Sequence, residues 1–91
     1  GNVKINLNKH LILKDKKEYK INNTEKTILE VMINSPGKSF SREKIGKIIN
    51  LDKERSVDVI ITRLRKKIEQ NPKNPKYLQT LRGEGYVLWI E

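Results

Sequence analysis

Cysteine is absent from the 91-residue chain, which excludes a disulfide frame, a thiolate metal site and a thiol nucleophile. A single histidine, His10, leaves no material for a histidine-based triad or a multi-histidine metal centre. Alanine is missing altogether, and the aromatics amount to three Tyr, one Trp and one Phe. No apolar run approaches the ~18 residues of a membrane span, and no signal-peptide pattern opens the chain. These absences argue against an enzyme, a metal or cofactor protein, and a membrane partner. They leave one small domain, expected in the cytoplasm.

Leu, Ile, Val and Phe together make 27 of the 91 residues, above the roughly 20% below which highly charged chains stay disordered. Basic side chains number 20 against 11 acidic ones, a formal net charge of +9. Fifteen Lys, twelve Ile and nine Asn suggest a bias that runs through the whole chain, so the total says little by itself. Placement says more. Residues 1–52 carry net +5, residues 53–82 carry net +6 in a much shorter stretch, and residues 83–91 carry net −2. Four of the five Arg, namely Arg55, Arg63, Arg65 and Arg82, fall in the middle segment.

Short alternating runs over residues 2–21 read as strands: Val3, Ile5 and Leu7, then His10 to Lys14, then Tyr19 to Ile21. A helix is expected over about 24–35, with Thr24 as N-cap and Glu25 in its first turn, closed by Pro36-Gly37. A second is expected over about 41–50 with Ser41 as N-cap. A third, over about 54–70, follows from Val57, Ile61, Leu64 and Ile68 at i, i+4, i+7 and i+11. The tail from 77 to 90 alternates around Arg82-Gly83-Glu84-Gly85, a hairpin signal.

The third helix carries the functional argument. Opposite its apolar stripe a helical wheel gathers Arg55, Val59, Thr62, Arg63 and Lys66, an outer face that is cationic rather than mixed. A duplex major groove admits one α-helix between edges of phosphate. Arg63 is placed to donate twice to guanine, Val59 to meet a thymine methyl, and Arg55 and Ser56 to contact phosphates. Taken singly, an outward Arg or Lys is usually only a solvated face, and Thr62 a neutral filler. Arg65 sits at the stripe's edge, where its stem packs on the core with its head in water. Arg82 at the hairpin tip, held by Gly83 and Gly85, which permit positive φ, suits an adjacent minor groove. Tyr77, Tyr86 and Trp89 are expected to pack in the core between hairpin and helices rather than to stack on bases.

The stretch from Arg55 to Glu69 (RSVDVIITRLRKKIE) and that from Pro75 to Tyr86 (PKYLQTLRGEGY) resemble the winged helix-turn-helix effector domain of OmpR/PhoB-type response regulators. Thr24-Glu25 and Ser41-Arg42-Glu43 stand where that family opens its first and second helices. The resemblance covers nearly the whole chain. It implies an α+β fold: a four-stranded N-terminal antiparallel sheet, three helices and a C-terminal β-hairpin wing. It implies double-stranded DNA as partner, with phosphate contacts from Arg55, Ser56 and Arg65, base-facing Val59 and Arg63, and backbone or minor-groove contacts from Thr80 and Arg82. It further implies a bacterial two-component system, a phosphorylatable receiver domain ahead of this module, and head-to-tail pairing on direct-repeat DNA. On that reading the chain is an excised effector domain, with Gly1 a residue left by the excision.

Three positions depart from the family pattern. The loop at 50–54, through which relatives can contact RNA polymerase, is several residues shorter, and Asn50 stands where Trp is common. Ile60 replaces a frequent polar residue, and Lys26 an aromatic one. The competing reading is a winged-helix protein-interaction module with only non-specific nucleic-acid affinity.

Overall fold

A computed structural model describes residues 3–50 and 54–89, with the side chains of 54–56 excepted. Three strands come first: β1 (Val3–Asn6), β2 (Leu11–Lys14) and β3 (Lys17–Lys20). They form an antiparallel sheet in the order β1-β2-β3. Register is fixed by a two-residue turn in which Asp15 and Lys16 both take positive φ, 51° and 67°, inside the Lys14–Lys17 pair. Pairing aligns Ile5, Ile12 and Tyr19 across one face, and Ile12 is fully buried there.

Helix α1 (Asn23–Ile33) starts one residue earlier than Thr24. The cap is Asn22, whose side-chain oxygen accepts from the Glu25 N–H at 2.8 Å while Glu25 accepts the Asn22 N–H at 3.0 Å. This reciprocal capping box satisfies two orphan donors at once, and it needs Glu at the third helical position. Asn22, not Thr24, has that spacing to Glu25.

After α1, the two-residue strand β4 (Ser39–Phe40) leads into α2 (Arg42–Ile48), capped by Ser41 through the Lys44 N–H at 3.1 Å. Asn50, at φ 58°, follows α2 in the left-handed conformation that Asn tolerates better than bulky residues do. Helix α3 (Glu54–Ile68) is followed by β5 (Leu78–Leu81) and β6 (Gly85–Leu88). A second sheet has the order β4-β6-β5.

The winged-helix architecture is therefore present, with one correction: among the described residues the N-terminal sheet has three strands, not four. The short strand after α1 pairs instead with the wing, Ser39 opposite Val87 and Phe40 opposite Tyr86. The core lies between the first sheet and the helices and is built from Ile12, Ile28, Leu29, Met32, Ile45, Val57, Ile61, Leu64, Ile68 and Leu78.

Two wing glycines do different work. Gly83, at φ 80°, fills the turn position where a type II geometry needs positive φ, closed by the Glu84 N–H to Leu81 carbonyl bond at 3.0 Å, and a Cβ there would meet nothing. Gly85, at φ 116°, lies so close to β4 that a Cβ would stand 2.1 Å from the Phe40 carbonyl oxygen. Gly85→Ala should therefore cost at least about 2 kcal/mol in urea unfolding, against about 1 kcal/mol for Gly83→Ala. Equal losses would contradict the close approach of β4 to the wing.

Candidate nucleic-acid interface

The apolar stripe of α3 is driven inward as its periodicity requires: Val57, Ile61 and Leu64 are fully buried and Ile68 is 1% exposed. That orientation turns Val59, Thr62, Arg63 and Lys66 outward, with Val59 49% exposed. Among the described residues no hydrogen bond or ion pair engages the side chains of Arg63, Lys66 or Arg82. The Thr62 hydroxyl donates back to the Asp58 carbonyl at 2.8 Å, so its proton is used within the helix and its methyl and oxygen lone pair face out. Ile60 is half-buried against the core, which accounts for an apolar residue there. Arg55 and Ser56 fall in the first turn of α3, but their side chains lie outside the described residues. Most of the 50–54 loop, residues 51–53, also lies outside them.

Arg65 does not leave its head in water. Its Nε donates to the Leu78 carbonyl at 2.8 Å, its Nη2 donates to the Thr80 hydroxyl oxygen, and the guanidinium lies 5.7 Å from the centre of the Tyr86 ring. Two residues assigned to the interface are thus bonded to each other, and together they tie α3 to β5. Because the Thr80 oxygen accepts from Arg65, its own proton points elsewhere and is available to an outside acceptor.

Asp58, seven residues before Arg65, shares its flank of the helix. Its carboxylate accepts from Arg42 Nε at 2.9 Å and from the Tyr86 hydroxyl, joining α2, α3 and β6 at one oxygen. The Tyr86 hydroxyl, and then Asp58, hold the Arg42 guanidinium above its ordinary range. Burial, and next the bond to Asp58, push the Tyr86 phenol above the ordinary tyrosine value of 10.0.

The far end of α3 is held by groups that composition and helical-wheel position do not single out. Lys14 of β2, 9% exposed, donates to the carbonyls of Lys66 at 2.8 Å and Glu69 at 2.7 Å. An ammonium at a helix C-terminus both satisfies orphan carbonyls and opposes the negative end of the dipole. Glu69, 1% exposed, accepts the N–H groups of Lys76 at 2.8 Å, Tyr77 at 3.0 Å and Leu78 at 2.8 Å, and so fixes where β5 begins. Lys67 pairs with the buried Glu25 of the capping box at 2.8 Å. The available signal for Lys14 is its position, two residues after Ile12 and so on the same inward face.

Arg82 is exposed in the wing turn, beside the exposed Glu84. Of the three aromatics expected in the core, Tyr86 is buried and Tyr77 half-buried, but Trp89 is 46% exposed. Trp89 covers the backbone of Gly37 and donates from its indole to Gln79 Oε1 at 2.9 Å, so it closes the wing from outside.

The family model for "Transcriptional regulatory protein, C terminal" matches residues 16–88. The chain is 37% identical over 94 residues to the probable transcriptional regulator ycf27 of Cyanophora paradoxa, spanning 96% of this chain and 39% of that protein. It thus has about two fifths the length of the curated relatives it matches. Its fold superposes with a TM-score of 0.85 on the response regulator DrrB, an OmpR/PhoB homologue of Thermotoga maritima, at 31% identity, over 98% of this chain and 42% of that one. It superposes with a TM-score of 0.75 on the DNA-binding domain of response regulator AdeR in complex with an intercistronic region, at 33% identity, over 98% of this chain and 95% of that one.

The raised phenol of Tyr86 has a consequence for stability. The neutral phenol is the form the fold favours, so its contribution is complete below about pH 10 and is lost as pH climbs through the raised folded value. Tyr86→Phe should cost about 1 kcal/mol at neutral pH. The stability gap between the two proteins, followed by urea unfolding, should hold steady up to about pH 10 and narrow above it. A gap that widened instead would reverse the assignment.

Proposed function

The chain belongs to the family of transcriptional regulatory protein C-terminal domains, and from that premise we propose that it binds double-stranded DNA sequence-specifically as the effector domain of a two-component response regulator. Helix α3 enters the major groove and the wing meets the adjacent minor groove. The observation that carries this reading is the outer face of α3, where Val59, Thr62, Arg63 and Lys66 face outward on a helix buried along its opposite stripe. A face made for protein docking would present a larger apolar patch than the single Val59.

Roles follow from position. Arg63, near the middle of the face, reads guanine, and Val59 supports it by apolar contact with thymine. Arg55, Ser56, Lys66 and Thr80 take phosphates, Thr80 with the proton that Arg65 leaves free. Arg65 acts chiefly by holding the wing to α3, and Arg82 enters the minor groove. In the longer protein a receiver domain precedes this module, and pairs bind head to tail on direct repeats. The short 50–54 connection is the part of this module that would meet RNA polymerase. No catalytic step is assigned.

Selection from a random duplex library, followed by titration of variants, tests the reading. Arg63→Ala should weaken the selected site by about 1–3 kcal/mol while leaving random duplex nearly unchanged. Lys66→Ala should weaken both alike and flatten the slope of log K against log salt by about one. Equal losses on selected and random DNA for Arg63→Ala would remove its base-reading role. Failure of the library to enrich any sequence would favour the protein-interaction alternative.

A further inference from the structure

Strand β4 runs straight into helix α2 at Ser41, and the two sides of that junction bring a pair of lysines onto one aromatic ring. Lys38 precedes Phe40 by two residues, the spacing that puts side chains on one side of an extended chain, and Lys44 follows it by four, in the first turn of α2. Both backbones are fixed. The Lys38 N–H donates to the Ser35 carbonyl at 3.1 Å, and the Lys44 N–H donates to the Ser41 hydroxyl oxygen at 3.1 Å. The Phe40 ring, in a side chain only 3% exposed, has Lys44 Nζ 5.1 Å and Lys38 Nζ 5.6 Å from its centre. We propose that Lys44 is a site of Nζ acylation, taking its acyl group from an acyl phosphate whose phosphate end is held by Lys38.

Either ring contact is favourable by itself, since an ammonium is attracted to an aromatic face. Two on one ring repel each other, and among the described residues neither has a carboxylate partner. Glu43, the acid next to Lys44 in the chain, pairs with Lys47 at 3.4 Å. The charge of Lys38, and then its direct contact with Lys44, hold the Lys44 ammonium below the ordinary lysine value of 10.5. A neighbouring cation is one of the ways in which a lysine becomes nucleophilic. The Lys44 side chain is exposed, so a reagent reaches its amine. Lys38 contributes a second time, because its ammonium attracts the anionic end of an acyl phosphate and offsets the charge that gathers on the departing phosphate. In the step, the Nζ lone pair bonds to the acyl carbon, and the bond from that carbon to the bridging phosphate oxygen breaks. Inorganic phosphate leaves with the electron pair, and the amine proton passes to it or to water. The amide that forms carries no charge, so the repulsion ends and Lys38 keeps the ring alone.

The test compares lysines within one protein. The chain is treated with acetyl phosphate short of full modification, and acetylation at each lysine is timed by peptide mass spectrometry. Lys44 should react at least about threefold faster than Lys9 and Lys73, which are exposed and whose side chains make no ion pair or ring contact among the described residues. A rate equal to theirs would overturn the assignment. Lys38→Met removes the neighbouring charge and should bring Lys44 down to the rate of Lys9 and Lys73. Lys38→Arg keeps a cation and should keep Lys44 fast. The Lys38 side chain is exposed, so both variants should match the unsubstituted protein in thermal unfolding. A folded methionine variant in which Lys44 stays fast, or an arginine variant in which it becomes slow, would overturn the part given to Lys38. N-hydroxysuccinimide acetate, an uncharged donor, tests the phosphate contact. The preference for Lys44 should shrink with it, and an equal preference would overturn the choice of an acyl phosphate.

Discussion

Everything the third helix can offer to a partner depends on how its C-terminal end is held. A helix whose outer face must stay unpaired is attached through its inner stripe, one flank and its ends. The inner stripe supplies burial but little directional control, since apolar contact is tolerant of sliding and rotation. The end supplies the direction. Lys14 reaches from the first sheet to the Lys66 and Glu69 carbonyls, and the Glu69 carboxylate gathers three successive N–H groups ahead of β5. Burying an ammonium and a carboxylate is unfavourable unless every lone pair and proton is satisfied. Here both groups are multiply bonded, and among the described residues every buried side-chain nitrogen or oxygen has at least one partner.

From that anchor the position of the wing follows. Glu69 fixes the start of β5, Arg65 binds Leu78 and Thr80 further along the strand, and Asp58 holds Tyr86 of β6. These three groups lie on or just beyond α3 at positions 58, 65 and 69, so one side of the helix is committed to the wing. The next side round remains cationic and open. A single sequence segment thereby meets two demands by helical geometry: Asp58 and Arg65, facing the wing, are paired, while Arg63 and Lys66, about 100° away, have no side-chain partner among the described residues.

Much of this is legible in the sequence, and the parts that are not share a cause. The apolar stripe of α3, the Ser41 cap and the Arg82-Gly83-Glu84-Gly85 turn are local signals, each contained within a short stretch of chain. The role of Lys14 is not legible beyond its inward register, because lysine is a surface residue by default and its reason for burial lies more than fifty residues away, at the end of α3. Glu69 is a similar case, since nothing in an acidic residue at a helix end marks it as a collector of backbone N–H groups. Arg65 reads as a snorkelling side chain because its wheel position at the stripe edge allows that. Its actual partners belong to a strand whose placement the wheel cannot supply. Trp89 misleads for the opposite reason: aromatic residues in a small domain usually complete the core, but this one closes the outside of the wing over Gly37.

The same bonds bear on how the domain would discriminate between duplexes. If wing and helix were joined only by a flexible connection, each could settle into its groove independently, and the spacing between grooves would carry no information. Hydrogen bonds accepted by Asp58 and Glu69 and donated by Arg65 make that spacing a property of the protein. A duplex that matches it binds without deformation, and one that does not must bend or narrow a groove at an energetic cost that varies with its base steps. On the proposed reading discrimination would have two sources, base edges read by Arg63 and Val59 and the groove-to-groove offset imposed through the paired flank of α3. The residues that impose the offset touch no base, so sequence preference would extend to positions the protein never contacts.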